Sequence, residues 1–265
     1  MANVDTERAG RTALVTGGRG GLGTAVVREL VAAGWRVVVP VRPGPAPARA
    51  AEPTAGTRPG AGTEPAAGPE PGAGPAWAPG GPVLDVPAEL SDPDQVAAAV
   101  AVAADRPDAP LRAVVNLAGG YASGGLVHET PLADFEHMLA VNLRPTYLVT
   151  QAALPHLTAA GGGAIVCVAA RAATAPFPGA AGYVTAKAAV LAFASAVAVE
   201  YRRSGVRCNT VLPSIIDTPA NRAAQPDADH SRWVPPAEIA RVIRFLAADE
   251  SAPTSGAAIP VYGRA

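Results

Sequence analysis

The chain has 265 residues, 49% of them hydrophobic and 16% charged, which is enough for one domain of the larger sort around a single core. Lys+Arg total 21 and Asp+Glu 22, so the net charge is −1, and no basic cluster offers the footprint that nucleic acid requires. No uninterrupted apolar run reaches the ~18 residues of a spanning helix. The N-terminus carries Asp5 and Glu7 where a signal peptide has a positive and then an apolar stretch, so neither membrane nor export is expected, and the location expected is cytoplasmic. Cys167 and Cys208, each inside an apolar strand-like run, read as reduced core thiols rather than a disulfide.

Arg11–Thr16 reads as a short apolar strand, and Leu22–Ala33 has helical spacing ended by Gly34. Arg36–Val41 is a β-branched run. From Pro43 to Pro82, 40 residues hold 11 Pro, 9 Gly and 11 Ala. Such a stretch buries too little to offset its ordering entropy, so it is expected to be a disordered or loosely extended insertion within one domain spanning 1–265. Val83–Val86 is the next strand, and Asp92-Pro93 opens a helix running to about Ala104. Ala113–Leu117, Ala164–Ala169, Cys208–Leu212 and Ala257–Val261 are further strands, separated by helices at about Leu132–Ala159, Gly182–Ser204 and Pro236–Ala248. Repeated βα units with near-continuous apolar strands predict a doubly wound, Rossmann-like α/β domain, its parallel sheet covered by helices on both faces.

The first strand runs directly into Thr16-Gly17-Gly18-Arg19-Gly20-Gly21-Leu22-Gly23, and a helix follows. Glycines there allow a tight turn and let backbone amides approach a pyrophosphate at the helix N-terminus, the chemistry of dinucleotide binding. The spacing TGxxxGxG resembles that of the short-chain dehydrogenase/reductase family. Further motifs follow in the family's order: Asn116-Leu117-Ala118-Gly119 is similar to its NNAG, Val141-Asn142-Leu143 to the segment of its helix asparagine, Tyr183-Val184-Thr185-Ala186-Lys187 to YxxxK, and Pro213-Ser214-Ile215-Ile216-Asp217-Thr218 to PGxxxT. Residues 255–263 resemble its closing strand.

That resemblance implies an NAD(P)(H)-dependent oxidoreductase. Tyr183 would be the proton donor, Lys187 its electrostatic partner and the anchor of the nicotinamide ribose, and Asn142 the organiser of a proton-relay water. Cofactor contacts are implied for Gly17, Arg19, Gly21, Leu22, Gly23, Arg42, Glu89, Leu90, Asn116, Ala118, Gly119, Pro213, Ile216 and Thr218. On the residues alone, positions i and i+4 share a helix face, so an ammonium beside a phenol is expected to bring the Tyr pKa down from near 10.

One family element is missing. Its catalytic Ser lies 13 residues before the Tyr, where this chain has Ala170, and 169–173 hold no hydroxyl. The dihydropteridine reductase branch shares that loss. Residues 17–23 resemble its GGRGALG, residues 118–125 its AGGWAGG, and Asp217-Thr218-Pro219-Ala220-Asn221-Arg222 with Trp233 its DTPMNR…W segment, although Asn142 departs from the branch. The resemblance implies hydride transfer to an electron-poor conjugated acceptor such as a quinonoid dihydropterin or quinone, for which carbonyl polarisation by Ser is dispensable. A generic ketone reductase and a catalytically silent dinucleotide-binding scaffold or sensor are the alternatives.

NAD-preferring members carry Asp at the end of the second strand, where this chain has Val41 followed by Arg42. A guanidinium without that carboxylate favours a 2′-phosphate, to which Arg19 could add, so NADP(H) is expected over NAD(H). Glu89-Leu90 fits the adenine-contacting position, with Asp85 the alternative. The segment 219–233 has the composition of a lid, from which Trp233, together with Tyr121 and Ala170, would face a small-molecule substrate. His128, His137, His156 and His230 lack metal-ligand spacing, and no metal is expected. Helix 182–204 is apolar nearly all round, which predicts a homodimer or homotetramer through it.

Overall fold

In the computed structural model, which describes residues 10–43, 77 and 80–264, the apolar runs become strands and the segments between them helices. In chain order these are β1 (Thr12–Thr16), α1 (Gly21–Ala32), β2 (Arg36–Val41), β3 (Val83–Pro87), α2 (Pro93–Ala104), β4 (Leu111–Asn116), α3 (Leu132–Asn142), α4 (Arg144–Ala159), β5 (Gly163–Val168), α5 (Ala181–Glu200), β6 (Val206–Pro213), α6 (Pro219–Ala224), α7 (Pro236–Ala247) and β7 (Ala258–Val261). The sheet has the order β3-β2-β1-β4-β5-β6-β7 and every pairing is parallel. The chain winds outward from β1 to β3 and then returns to β4 on the other side of β1. Its topological switch point therefore lies between β1 and β4, where open α/β sheets bind ligands at the strands' carboxyl ends.

Period-two alternation divides the core into two layers. Leu14, Val114, Ile165 and Cys208 face the side packed with α2, α4 and α5. Ala13, Val15, Val115 and Val166 face the other, closed by α1 and α7. Cys167 and Cys208 are both buried and free. Helix boundaries follow local chemistry. The Asp92 carboxylate accepts from the amides of Asp94 and Gln95 at 2.9 and 3.2 Å, with Pro93 at the first helical position. Gly34, at φ +81°, turns the chain out of α1.

Two features differ from expectation, and a third expectation falls largely outside the described residues. The helix expected at 132–159 is two, α3 and α4, meeting at Leu143. Pro145 has no amide to donate to Val141 and its ring crowds that carbonyl, so the ladder breaks there. By length and composition α5 is apolar enough to cross a membrane, which a count of uninterrupted apolar residues misses. Its inner face, with Val190, Ala194, Val197 and Ala198, is nonetheless part of the core. Finally, most of the Pro/Gly/Ala-rich insertion, residues 44–76, 78 and 79, lies outside the described residues. Trp77 within it packs against the layer under α1 and α7, so the segment contributes at least one side chain to burial.

Candidate cofactor and active site

At the switch point the backbone itself forms a cradle. The Thr16 hydroxyl accepts from the amides of Leu117 and Ala118 at 3.0 and 3.1 Å, tying the end of β1 to the end of β4. Gly17 adopts φ +64°, and a Cβ there would come within 3.2 Å of the Ala118 nitrogen. The amide of Gly20 donates to the Gly17 carbonyl at 2.9 Å, closing the turn. A Cβ on Gly23 would strike that carbonyl and lie 2.7 Å from the Gly18 Cα, so the third glycine is demanded by helix–strand packing. A Cβ on Gly21 would sit 2.7 Å from the Thr218 methyl, which brings the loop and the segment after β6 together. Helix α1 has neither a side-chain cap nor an acid in its first turn, leaving its N-terminal amides for an anion. Gly17, Gly21, Gly23, Ala118, Gly119 and Thr218 thus border one rim, and the residues present fit a bound dinucleotide. Leu22 turns toward the α1/α7 layer instead.

At the far end of that rim two cations meet two acids. Arg19 forms a two-pronged ion pair with Asp85, Nε to Oδ1 at 3.2 Å. Arg42, largely exposed just past Val41, pairs with Glu89 at 3.3 Å. Both arginines assigned to a 2′-phosphate therefore have a carboxylate beside them, which spacing along the chain does not reveal; the Arg42 pair is exposed and weak, so its guanidinium stays open to a competing anion. Leu90 packs against the α2/α4/α5 layer. Asn116 is buried, and its Nδ2 donates to Thr150 Oγ1 at 3.1 Å. Its side chain is directed into the core, so a cofactor contact there would come from the backbone.

The catalytic candidates converge from four segments. Lys187, 7% exposed, donates to the Val168 carbonyl at the end of β5 at 3.1 Å. Its Nζ lies 5.9 Å from the centre of the Tyr183 ring and 3.3 Å from where a Gly119 Cβ would stand. Asn142, the last residue of α3, accepts from the Gly120 amide at 3.2 Å and donates to the carbonyls of Gly120 and Met138 at 3.0 Å. The ring of Tyr121 meets that of Tyr183 edge-on at 5.0 Å, and its hydroxyl donates to Ser123 Oγ at 2.8 Å. Ala170, two residues past Val168, is buried.

The expected lowering of the Tyr183 pKa is not what the burial of the site produces. Burial, with a smaller contribution from Tyr121, pushes it up to about 12. Burial likewise takes Lys187 down to about 8. Lys187 is buried with its ammonium turned toward a backbone carbonyl, and Tyr183 is half-buried, so loss of water governs both shifts, opposed on Lys187 only by the nearby Cys167.

Pro213, the last residue of β6, is buried, and Ser214 after it, where the family has Gly, donates to the Tyr262 carbonyl at 2.8 Å. The carbonyl of Ile216 accepts from Asn221 Nδ2 at 2.8 Å, and Thr218 caps α6 by accepting from the Asn221 amide at 3.2 Å. Asp217 holds Arg222 through a bidentate pair whose Nη2–Oδ2 arm is 2.8 Å. Trp233 is 7% exposed and packed on His230, with ring centres 4.3 Å apart, which leaves only its edge for a substrate. Among the described residues, no group of three or more His, Cys, Asp or Glu side chains is placed to hold a metal. Sequence reasoning missed Arg171 and Arg232, which with Trp233 line a cavity; only the adjacency of Arg171 to Ala170 could have drawn attention to one of them.

Comparison with known proteins accords with this geometry. A family model described as enoyl-(acyl carrier protein) reductase matches residues 76–263. The 2-(R)-hydroxypropyl-CoM dehydrogenase of Xanthobacter autotrophicus is 34% identical over 96% of this chain and 97% of its own length. The 4-formylbenzenesulfonate dehydrogenase of Comamonas testosteroni is also 34% identical, over 96% of both chains. A short-chain type dehydrogenase/reductase from Mycobacterium ulcerans superposes with a TM-score of 0.78 at 26% identity, covering 96% of this chain and 89% of that one. With its parallel seven-stranded sheet, glycine cradle and YxxxK helix, the chain belongs to the short-chain dehydrogenase/reductase family and is an oxidoreductase of that type.

Proposed function

We propose that this oxidoreductase carries hydride from NAD(P)H, with NADP(H) favoured over NAD(H), to a conjugated acceptor such as a quinonoid dihydropterin or quinone. The observation that carries the reading is a half-buried tyrosine that keeps its proton, on the same helix as a buried lysine 5.9 Å from its ring centre, in a site with Ala170 where the family has its Ser. When bound, the nicotinamide supplies the hydride. Tyr183, whose pKa of about 12 makes it a neutral phenol at physiological pH, donates a proton to the acceptor and is left as phenolate. Lys187, 5.9 Å from the ring centre, stabilises that phenolate and anchors the ribose. Asn142, clamped to Gly120 and Met138, fixes the loop that carries Gly119 and serves the return of a proton to Tyr183. A conjugated ring accepts hydride without a hydroxyl polarising its carbonyl, which suits Ala170.

The names of the relatives favour a second reading, oxidation of an alcohol or aldehyde, with Tyr183 as the base. Steady-state assays of NADPH and NADH oxidation with quinonoid dihydropterin, quinones and ketones, and of NADP+ and NAD+ reduction with secondary alcohols, separate the two. Faster ketone than quinone or pterin reduction would overturn the argument from Ala170. Tight cofactor binding without turnover of any compound would indicate a scaffold. The preference for NADP(H) rests on Val41 and the neighbouring Arg42.

Self-association belongs to the same proposal. The outer face of α5 leaves Ala192, Ala196 and the 67% exposed Val199 uncovered, and Tyr147 of α4 extends it through its contact with Phe193, ring centres 5.7 Å apart. A second copy would cover this apolar strip in a homodimer or homotetramer.

A further inference from the structure

A cavity of about 390 Å3 is lined by Arg171, Ile215, Asp229, Arg232 and Trp233. Three segments that meet only in the fold build it: the turn after β5, the loop after β6 and the chain leading into α7. Two of its five lining side chains are guanidiniums, and among the described residues neither forms an ion pair. Arg171 lies over the Tyr262 ring, 5.1 Å from its centre. Arg232 donates through Nε to the carbonyl of Arg264 at 3.4 Å. The one acid in the wall, Asp229, is already engaged, since its Oδ1 accepts from the amide and hydroxyl of Ser231 at 3.1 and 2.6 Å.

Two cations facing one space against a single hydrogen-bonded carboxylate leave a positive surplus. Guanidinium forks match the oxygens of a carboxylate, sulfonate or phosphate. Ile215 and the edge of Trp233 supply apolar wall for the carbon body of such a molecule. Arg171 directly follows Ala170, so the charge sits one residue from the position at which the family's hydroxyl is missing.

We propose that this cavity clamps a remote anionic group of the substrate, and that the substrate is a small organic anion whose reacting carbon lies toward Tyr183. The inference rests on the hydride-transfer reading above and names its substrate class. It also gives Ala170 a second rationale. Orientation that a serine would impose at the reacting carbonyl is imposed instead by a clamp on a distant, non-reacting charge, which holds the reacting atom in place.

The test compares acceptors that differ only in charge: 1,4-naphthoquinone-2-sulfonate with 1,4-naphthoquinone, and acetoacetate with its ethyl ester, each with saturating NADPH. The anion should be preferred in kcat/KM by at least ~10-fold within the pair that turns over, chiefly through KM. Arg171→Gln and Arg232→Gln should each reduce that preference several-fold, Arg171→Lys should restore part of it, and Arg106→Gln, which removes an equal charge elsewhere, should leave it intact. Equal or better use of the neutral partner, or a preference that survives both glutamine variants, would overturn the clamp. If no acceptor is turned over, the hydride-transfer reading fails, and calorimetry with 2-naphthalenesulfonate and NADP+ decides the clamp separately. Binding lost in Arg171→Gln upholds it, and no binding at millimolar ligand overturns it.

Discussion

At the carboxyl ends of β1 and β4 the site is made of backbone, whereas at the ends of β5 and β6 it is made of side chains. The first region leaves no room for a Cβ at Gly23, and the Thr16 hydroxyl bolts two strand ends together. The second is walled by Arg171, Ile215, Arg232 and Trp233, side chains that come from three separate segments. Binding a dinucleotide diphosphate requires close approach of amides, a steric condition that fixes residue identity. Choosing a substrate requires only that certain charges and apolar walls face one space, and many sequences satisfy that.

The comparison can be broken most severely at Gly23. Gly23→Ala forces a methyl onto the Gly17 carbonyl, and its expected cost is about 3 kcal/mol or more with loss of cofactor binding, since backbone on both sides prevents relief. Urea unfolding and NADPH fluorescence titration would show it. In the other region Ile215→Val should cost no more than about 1.5 kcal/mol and leave cofactor affinity as it was.

Next in size is a pair of changes at the boundary between the regions. Tyr183→Phe should lower turnover by roughly 10²-fold, equivalent to about 2.7 kcal/mol, while the protein still binds cofactor. Lys187 should reveal itself in stability against pH. Its folded pKa of about 8 lies below the ordinary 10.5, so the unfolded chain binds the extra proton between those values. Stability of the cofactor-free protein should therefore rise as pH increases through that window, by up to about 3 kcal/mol at ~1.4 kcal/mol per pKa unit. Tyr183, raised from 10 to about 12, works in the opposite direction from pH 10 upward. Urea midpoints from pH 7 to 10 would measure the rise, and Lys187→Met should flatten it. A wild-type curve that is already flat would mean that the ammonium is solvated.

Smaller effects are expected where the charges are exposed. Arg42→Asp should weaken NADPH binding relative to NADH by about 10-fold at low salt and less at high salt, because it puts a carboxylate where the 2′-phosphate would lie. Equal NADPH affinities of the two proteins would remove Arg42 from the cofactor site. Asp217→Asn, cutting an exposed ion pair, should leave the melting temperature unchanged within error.

The same contrast explains what could be read in advance. Strands, the order of βα units and the end of α1 at Gly34 follow from period and from residues with special backbone geometry, so they were legible. The break at Leu143 was also written in the chain, as Pro145, but a continuous helical period across it hid the boundary. The ion pair of Arg19 with Asp85 joins the loop after β1 to β3, two strands away and 66 positions along the chain, and no local pattern encodes it. Nor does spacing reveal that Tyr183 and Lys187 are both desolvated. Their i, i+4 relation fixes proximity, while the direction of each pKa depends on everything else packed around them.

The central position of β1 has a consequence for how the sheet assembles. Thr12 pairs with Arg36 on one side, 24 residues on, and with Leu111 on the other, 99 residues on. The nearer pairing can form early, while the farther must close a loop of which a third is residues 44–76 of the insertion. Loop closure grows only with the logarithm of length. Removing those 33 residues would lower the entropic barrier to joining β1 and β4 by about 0.4 kcal/mol, a gain of roughly twofold in rate. A long segment between β2 and β3 is thus kinetically almost costless, because it enters at a point where the strands it separates end as direct neighbours.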